Sequence, residues 1–592
     1  MFPDFRIPKV YVSAILLALA FAVPLAVPTP FVTNLFVLLF VFSALSIAWN
    51  VVGGYAGQLS LGHAVFYGIG GYTSTLLTQN FGITPWLGMV AGAAISAVVA
   101  AIISYPTLRL RGPFFALASI AILQVVRLLV VHAESFTGGS SGISLPLNIG
   151  WKWIVFRDKI NYVVIAFGLF VIVLWISWLI RKARFGHYLI AIREREDAAR
   201  AVGVRVVNMK VAAAVASAVL TSCVGTFHVT YLTFIDPASA FSLDLSIQVA
   251  MFALIGGLGT LSGPVTGTFL LLPLAELART WLSGVGNGVH GLIYGLILIV
   301  VVLAMPRGLA GALGPAVERL LARLPTLGKP RARTAPAHAL TDHKGSVGEP
   351  VLKAENLFKR FGGLRATKDV SLTLHTHEIL GMIGPNGAGK TTVFNLLSGF
   401  LRPDQGTVSL LDRHGHWVQC RTPDEFAHRG LGRTFQIARP FTGLTVLENI
   451  MLGAFIHTAN RDEAEARALE IATLTDLDKS LDTPARSLTV GGMKRLEIAR
   501  ALATRPKVLL LDEVLAGLNP TDIDRAIEMI RRIRDSGVSI LLIEHMMQAT
   551  MALSDRIIVI NEGSVLVSGA PRDVVENPLV IEAYLGKEYV HA

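Results

Sequence analysis

Two cysteines in 592 residues, Cys223 and Cys420, are too few for a disulfide framework or a cysteine-built four-ligand zinc site. Charge is also scarce, but unevenly so. Of 52 basic and 41 acidic residues, only 17 and 9 fall within residues 1–306. Soluble domains carry about 25% charged residues, so the first half does not read as a soluble core. The net charge of +11 could suggest nucleic acid. However, the excess lies in short loops between apolar runs and in the segment after them, the pattern of a membrane protein facing anionic lipid. Nucleic acid is therefore not an expected partner, and membrane lipid is. The length exceeds one compact domain, and the second half has ordinary charge density.

Ten apolar runs of membrane-spanning length centre near residues 20, 42, 69, 96, 122, 170, 220, 253, 272 and 296. The basic segments Arg6/Lys9, Arg109/Arg111, Arg181 to Lys210 and everything from Arg307 should share one side, the cytoplasm. Between consecutive markers lie four, two and four runs, so the topology closes. Reading the first run as a cleaved signal peptide would break that even count. The glycine-rich stretches Gly53 to Gly71 and Gly256 to Gly267 are expected to be broken or re-entrant rather than straight. His63 and Gln58 would be polar groups at membrane depth, used in function or in helix-to-helix hydrogen bonds.

Residues 307–350 are rich in Pro, Ala and Arg and read as a basic tether, with Val317 to Leu324 able to form a short interfacial helix. From Val351 onward, short β-rich runs alternate with amphipathic helical stretches, the pattern of an α/β domain.

That domain carries Leu380-Gly-Met-Ile-Gly-Pro-Asn-Gly-Ala-Gly-Lys-Thr-Thr392, an apolar strand running into G-x-x-x-x-G-K-[ST] and then a helix. In such a loop, Gly384, Asn386, Gly387 and Gly389 let backbone N–H groups face phosphates. Lys390 reaches the β/γ oxygens, Thr391 can hold Mg²⁺ and Thr392 opens the helix. ATP and Mg²⁺ are the cofactors this implies. Val508 to Glu513 is a continuous apolar strand ending in two carboxylates. Asp512 is placed to organise the metal and Glu513 to polarise the attacking water.

Arg433-Thr-Phe-Gln436, Leu488-Thr-Val-Gly-Gly492, Arg495-Leu-Glu-Ile-Ala-Arg-Ala501, Gly517-Leu-Asn-Pro520 and His545 follow in the order and spacing of an ABC ATPase, which residues 351–592 resemble throughout. The resemblance implies several roles. Gln436 is the residue linking nucleotide and metal to the membrane partner, and His545 the switch histidine near the γ-phosphate. Phe361 is the aromatic that stacks on adenine, and Asn519 lies in the loop that crosses a dimer of ATPases. Thr489 and Gly491 belong to the signature that contacts nucleotide held by a second ATPase. The signature departs from the family pattern, since Gly492 and Met493 replace its Gln and neighbour and Val514 replaces a common Pro.

In the first half, Arg184 to Gly203 contains Asp197-Ala-Ala-x-x-x-Gly203, similar to the coupling loop of ABC importer permeases. Gly57-Gln-Leu-Ser-Leu-Gly-His-Ala64, Leu110-Arg-Gly-Pro-Phe-Phe-Ala-Leu117, Thr137-Gly-Gly-Ser-Ser-Gly142 and Leu254-Ile-Gly-Gly-Leu-Gly-Thr-Leu-Ser-Gly-Pro264 resemble permeases for branched-chain amino acids, whose relatives carry urea or short amides. The expectation is a multi-domain chain: an all-α polytopic membrane domain of about ten helices at 1–306, a linker at 307–350, and an α/β ATPase at 351–592. It would import hydrophobic amino acids through the bacterial inner membrane. The resemblance implies a periplasmic solute-binding protein, a second permease and a second ATPase, or a second copy of the chain. An ABC exporter is the rival, but about ten short spans and one compact coupling segment differ from the six long-extended spans of that class.

Overall fold

The computed structural model describes residues 8–108, 110, 112–282, 308–321 and 348–585, together with residues 295, 303 and 323. The basic markers Arg6, Arg109, Arg111 and Arg307, and the run near 296, lie outside these residues. The chain divides into two compact units: residues 1–189 with 207–332, and residues 190–206 with 333–592.

The first unit is helical. Among the described residues, six helices are long and apolar enough to cross a membrane: Pro30–Tyr55, Pro85–Thr107, Pro113–His132, Ile160–Lys182, Val206–Leu232 and Pro237–Gly257. Tyr11–Ala26 and Gly263–Leu277 are shorter apolar helices. Ala64–Phe81 is helical at the expected place but rich in Gly, Ser and Thr, and the count of ten spans is not confirmed. Its small residues permit close approach: a side chain at Gly92 would meet the Gly70 Cα at 3.0 Å. The core is aromatic, with Phe40, Trp49, Phe170, Phe227 and Phe252 fully buried and Phe40 stacked on Phe170 at 5.6 Å between centroids.

Both glycine-rich stretches are broken. The Pro30–Asn50 helix widens into a π-turn at Val51–Tyr55 and gives way to irregular backbone before Ala64, while the helix ending at Gly257 restarts at Gly263. Irregular backbone in an apolar setting must find partners, and Asn50 supplies them from one break to the other. Its Nδ2 donates to the Thr260 carbonyl at 2.9 Å, and its Oδ1 accepts from the Gly259 N–H at 3.0 Å. His63 is likewise absorbed, its ring nitrogens lying 3.0 Å from the Ser60 hydroxyl and 2.7 Å from that of Ser217. This is the hydrogen-bonding use of a buried histidine. The helix expected at Val317 to Leu324 instead spans Gly308–Leu321. Gly308, in the left-handed region at φ 68°, turns the chain against Gly257 and opens the helix earlier.

The second unit contains a six-stranded sheet ordered Ser564–Gly569, Arg556–Asn561, Ile379–Ile383, Ser539–Ile543, Val508–Asp512 and Leu431–Arg433, parallel except for its first pair. The three central strands are buried at every position, as strands covered on both faces must be, and this accounts for their unbroken apolar text. Beside it lies an antiparallel sheet of Leu364–His375, Pro350–Phe361, Gln405–Leu411 and Trp417–Gln419. Phe394, fully buried on the helix after the central strand, packs in the core between them. Phe394→Ala is expected to destabilise this unit by about 3–5 kcal/mol, read as a lower thermal unfolding midpoint of the full-length protein. An unchanged midpoint would contradict the packing.

Candidate functional site

The strand Ile379–Ile383 delivers the chain into the glycine-rich loop and then into the helix Lys390–Leu397. Glycine is required at two points. A side chain at Gly384, φ 155°, would collide with the Ile560 carbonyl, and one at Gly389, φ 102°, with that of Ala366. Lys390 Nζ donates to the Gly384 and Pro385 carbonyls at 2.6 and 3.0 Å. Burial lowers its pKa, opposed by Glu513 and Asp512. Asn386 and Gly387 lie in the loop, and Thr391 and Thr392 in the first turn of the helix.

Asp512 closes the neighbouring buried strand, and burial pushes its carboxyl up to about 6 against the pull of Arg433. A divalent cation would favour its charged form. Glu513 follows with φ 48°, in the left-handed region. Its Oε2 accepts from Gln436 Nε2 at 3.0 Å, and its Oε1 lies 2.8 Å from His545 Nε2. Gln436, Glu513 and His545, read from three distant stretches of sequence, thus meet at one carboxylate at the carboxyl ends of adjacent parallel strands. Ligands bind at this edge in open α/β sheets.

Other expected site residues stand apart. Phe361 ends its strand 46% exposed, with Lys359 Nζ 5.8 Å from its ring centroid. Thr489 caps the helix Val490–Ala503 by accepting from the Gly492 N–H at 3.2 Å, and Gly491 lies beside Asp522. Asn519 caps the helix Pro520–Asp535. Among the described residues, no hydrogen bond joins Thr489, Gly491 or Asn519 to Lys390 or Glu513.

Buried charges behind the loop carry weight that motif reading did not assign. Arg433 lies against the rings of Phe394, Phe400 and Phe435 at 4.8, 4.5 and 4.8 Å and donates to Asn395 and Ser398. Lys494, Glu497 and Arg500 recur at three-residue steps on one helix, all buried, a spacing that places them on one face. Glu497 accepts from the Phe435 N–H at 3.0 Å, holding the backbone just before Gln436, and lies 3.6 Å from Arg500. Burial raises Glu497 to about 7, with Arg500 opposing. Glu544 accepts from the Leu515 N–H at 2.8 Å and is raised to about 6 by burial. The three-residue recurrence of Lys494, Glu497 and Arg500, with Arg495 the one further charge in that helix, is the sequence signal for this face.

Residues 190–206 belong to this same unit. Ala198 and Ala199 are fully buried. Glu194 accepts from the Gly443 N–H at 2.7 Å and from Thr442 at 3.3 Å, and Asp197 pairs with Arg439 at 3.5 Å. His428 Nε2 lies 3.1 Å from the Gly203 carbonyl, and at φ 84° Gly203 leaves no room for a side chain beside Ile456. The Arg439 guanidinium also lies 4.8 Å from the Phe435 ring, so one arginine touches both the Asp197 carboxylate and the segment leading to Gln436.

Residues 31–302 match the family model for the branched-chain amino acid transport system permease component. Residues 367–516 match that for ABC transporters, and 564–590 that for branched-chain amino acid ATP-binding cassette transporters. The high-affinity branched-chain amino acid transport ATP-binding protein LivG of Salmonella typhimurium is 41% identical over 257 residues, covering 41% of this chain and all of the relative. BraF of Pseudomonas aeruginosa, of the same description, is 39% identical over 257 residues, again 41% of this chain and all of the relative. A nucleotide-free ATP-binding cassette of an ABC transporter is 29% identical, covers 40% of this chain and all of its own, and superposes with a TM-score of 0.37.

Because Glu497, Asp512 and Glu544 are held above their ordinary range, their neutral forms suit the fold. That stability is complete below about pH 4 and is lost as pH rises through about 7. The wild-type unfolding midpoint should therefore fall relative to that of Glu497→Gln as pH rises from about 5 to about 7.5. A difference that stays constant with pH would count against the buried neutral acid.

Proposed function

The chain belongs to the branched-chain amino acid ABC transporter family, with permease and ATPase on one polypeptide, and from that premise we propose that it imports a branched-chain or similar hydrophobic amino acid across the bacterial inner membrane. It is a multi-pass membrane protein whose ABC ATPase hydrolyses ATP to drive transport. The family implies partner subunits and a solute-binding protein. The finer reading is a periplasmic binding protein that delivers solute to a pair of permeases above a pair of ATPases, this chain supplying one of each and separate subunits, or a second copy of itself, the others.

The observation that carries the proposal is the meeting of Gln436, Glu513 and His545 at the strand edge that also holds the phosphate loop. Lys390 and the loop N–H groups bind the phosphates, and Phe361, exposed at its strand end, offers a face for adenine. Thr391, Gln436 and Asp512 would hold Mg²⁺, which when bound neutralises charge on the phosphates. Glu513 orients the attacking water and takes its proton, while His545 and Gln436 aim that carboxylate. The stretch 190–206, joined in sequence to the helices Ile160–Lys182 and Val206–Leu232, carries the motion to the permease through Glu194, Asp197 and Gly203. Thr489 and Gly491 act on nucleotide held by the second ATPase, so the altered Gly492 and Met493 slow the partner's site rather than the one at Lys390. A permease of this family carrying urea or short amides is the second reading, on the motif resemblance.

Uptake of labelled leucine into proteoliposomes should require ATP and the cognate binding protein. Accumulation of urea but not leucine would favour the second reading, and efflux would overturn import. Glu513→Gln should retain ATP and lower its hydrolysis by about 10²–10⁴-fold, with transport lost. Normal turnover would remove Glu513 from its role. Gly203→Val should leave ATP binding intact while separating hydrolysis from uptake, and full coupling in that variant would exclude the 190–206 route.

A further inference from the structure

The helix Val490–Ala503 brings a buried cation to the backbone of Glu513. Lys494 is 9% exposed, and its Nζ donates to the Glu513 carbonyl oxygen at 2.6 Å. Glu544, Glu497, Glu513 and Asp512 all act electrostatically on it, yet among the described residues its ammonium pairs with no carboxylate and bonds this one neutral carbonyl. That choice places the lysine at a strained point. Glu513 holds φ 48°, a conformation unfavourable for a non-glycine residue that persists only where its surroundings impose it. The Glu513 N–H donates to the Ile543 carbonyl at 2.9 Å, and Lys494 grips the carbonyl on the other side. With both ends of the residue held, its side chain reaches Gln436 and His545 together.

We infer that Lys494 is a positioning residue for ATP hydrolysis, holding the Glu513 peptide so that its carboxylate is aimed at the reacting water. This rests on the reading of Glu513 given above. Lys494 touches neither nucleotide nor water in this role and acts through one hydrogen bond. Simple neutralisation of the surrounding acids would need only its charge.

Three substitutions in the full-length protein, assembled with its partners in nanodiscs, separate the two. Lys494→Arg keeps donor and charge, Lys494→Gln keeps a donor alone, and Lys494→Met keeps neither. Lys494→Met should lower kcat for ATP about 100-fold, with KM and azido-ATP photolabelling close to wild type, because the phosphate loop is untouched. Arg and Gln should each recover most of the rate. An unchanged kcat in Lys494→Met would overturn the inference. So would a Gln variant as slow as Met while Arg restores turnover, since charge and not the bond would then matter. If Lys494→Met does not fold, Lys494→Ala replaces it as the variant without donor or charge, with the same expected loss of kcat and the same overturning result. Glu513→Gln, run alongside, distinguishes the failures: normal turnover there refutes the role of Glu513 itself, whereas an inactive Glu513→Gln with an unaffected Lys494→Met refutes only that of Lys494.

Discussion

A carboxylate at the end of a buried strand, held with left-handed backbone, is the constraint on which the second unit is organised. Glu513 is gripped at its N–H by Ile543, at its carbonyl by Lys494 and at its side chain by Gln436 and His545. The grips come from three segments, with Ile543 and His545 sharing one strand end. The parallel sheet brings the strands Ser539–Ile543 and Val508–Asp512 into register, so Ile543 lies opposite Asp512 and the next residues, Glu544 and His545, flank Glu513. Unbroken apolar text suits strands buried on both faces, and a slip in their register would carry Ile543 away from Asp512 and dismantle the site.

Keeping so many charges near this point requires compensation, since an unpaired buried ion is expensive. Three devices recur. Arg433 is enclosed by aromatic rings and bonded to Asn395 and Ser398. Lys494 and Lys390 bond backbone carbonyls. Glu497 and Glu544 accept backbone N–H groups and shift toward their neutral forms. The same network meets the 190–206 stretch through Arg439, which contacts both Asp197 and Phe435. Contiguous contact of this kind is the physical substrate of coupling, and whether it has two arrangements decides whether it transmits.

The helical unit solves the complementary problem of polar backbone among apolar side chains. Its two breaks sit at glycine-rich text, and Asn50, beside the first, satisfies a carbonyl and an N–H of the second with one amide. His63 and Ser217 stitch the first break to the Val206–Leu232 helix. Small residues then set how closely neighbouring helices approach, as at Gly92 and Gly70.

Much was legible in the residues themselves. Apolar runs without charge marked membrane helices because hydrocarbon tolerates little else, and the glycine-rich loop was readable because left-handed backbone at Gly387 and Gly389 demands glycine. Local text of this kind acts through a few adjacent residues, so it survives without knowledge of the fold. What only the tertiary structure decided were the long-range pairings: His545 and Gln436 on one carboxylate, Lys494 on the carbonyl behind it, and Asn50 bridging two breaks 209 residues apart. These depend on strand register and helix packing, and no spacing in the chain encodes which carbonyl the one lysine of the helix Val490–Ala503 will meet.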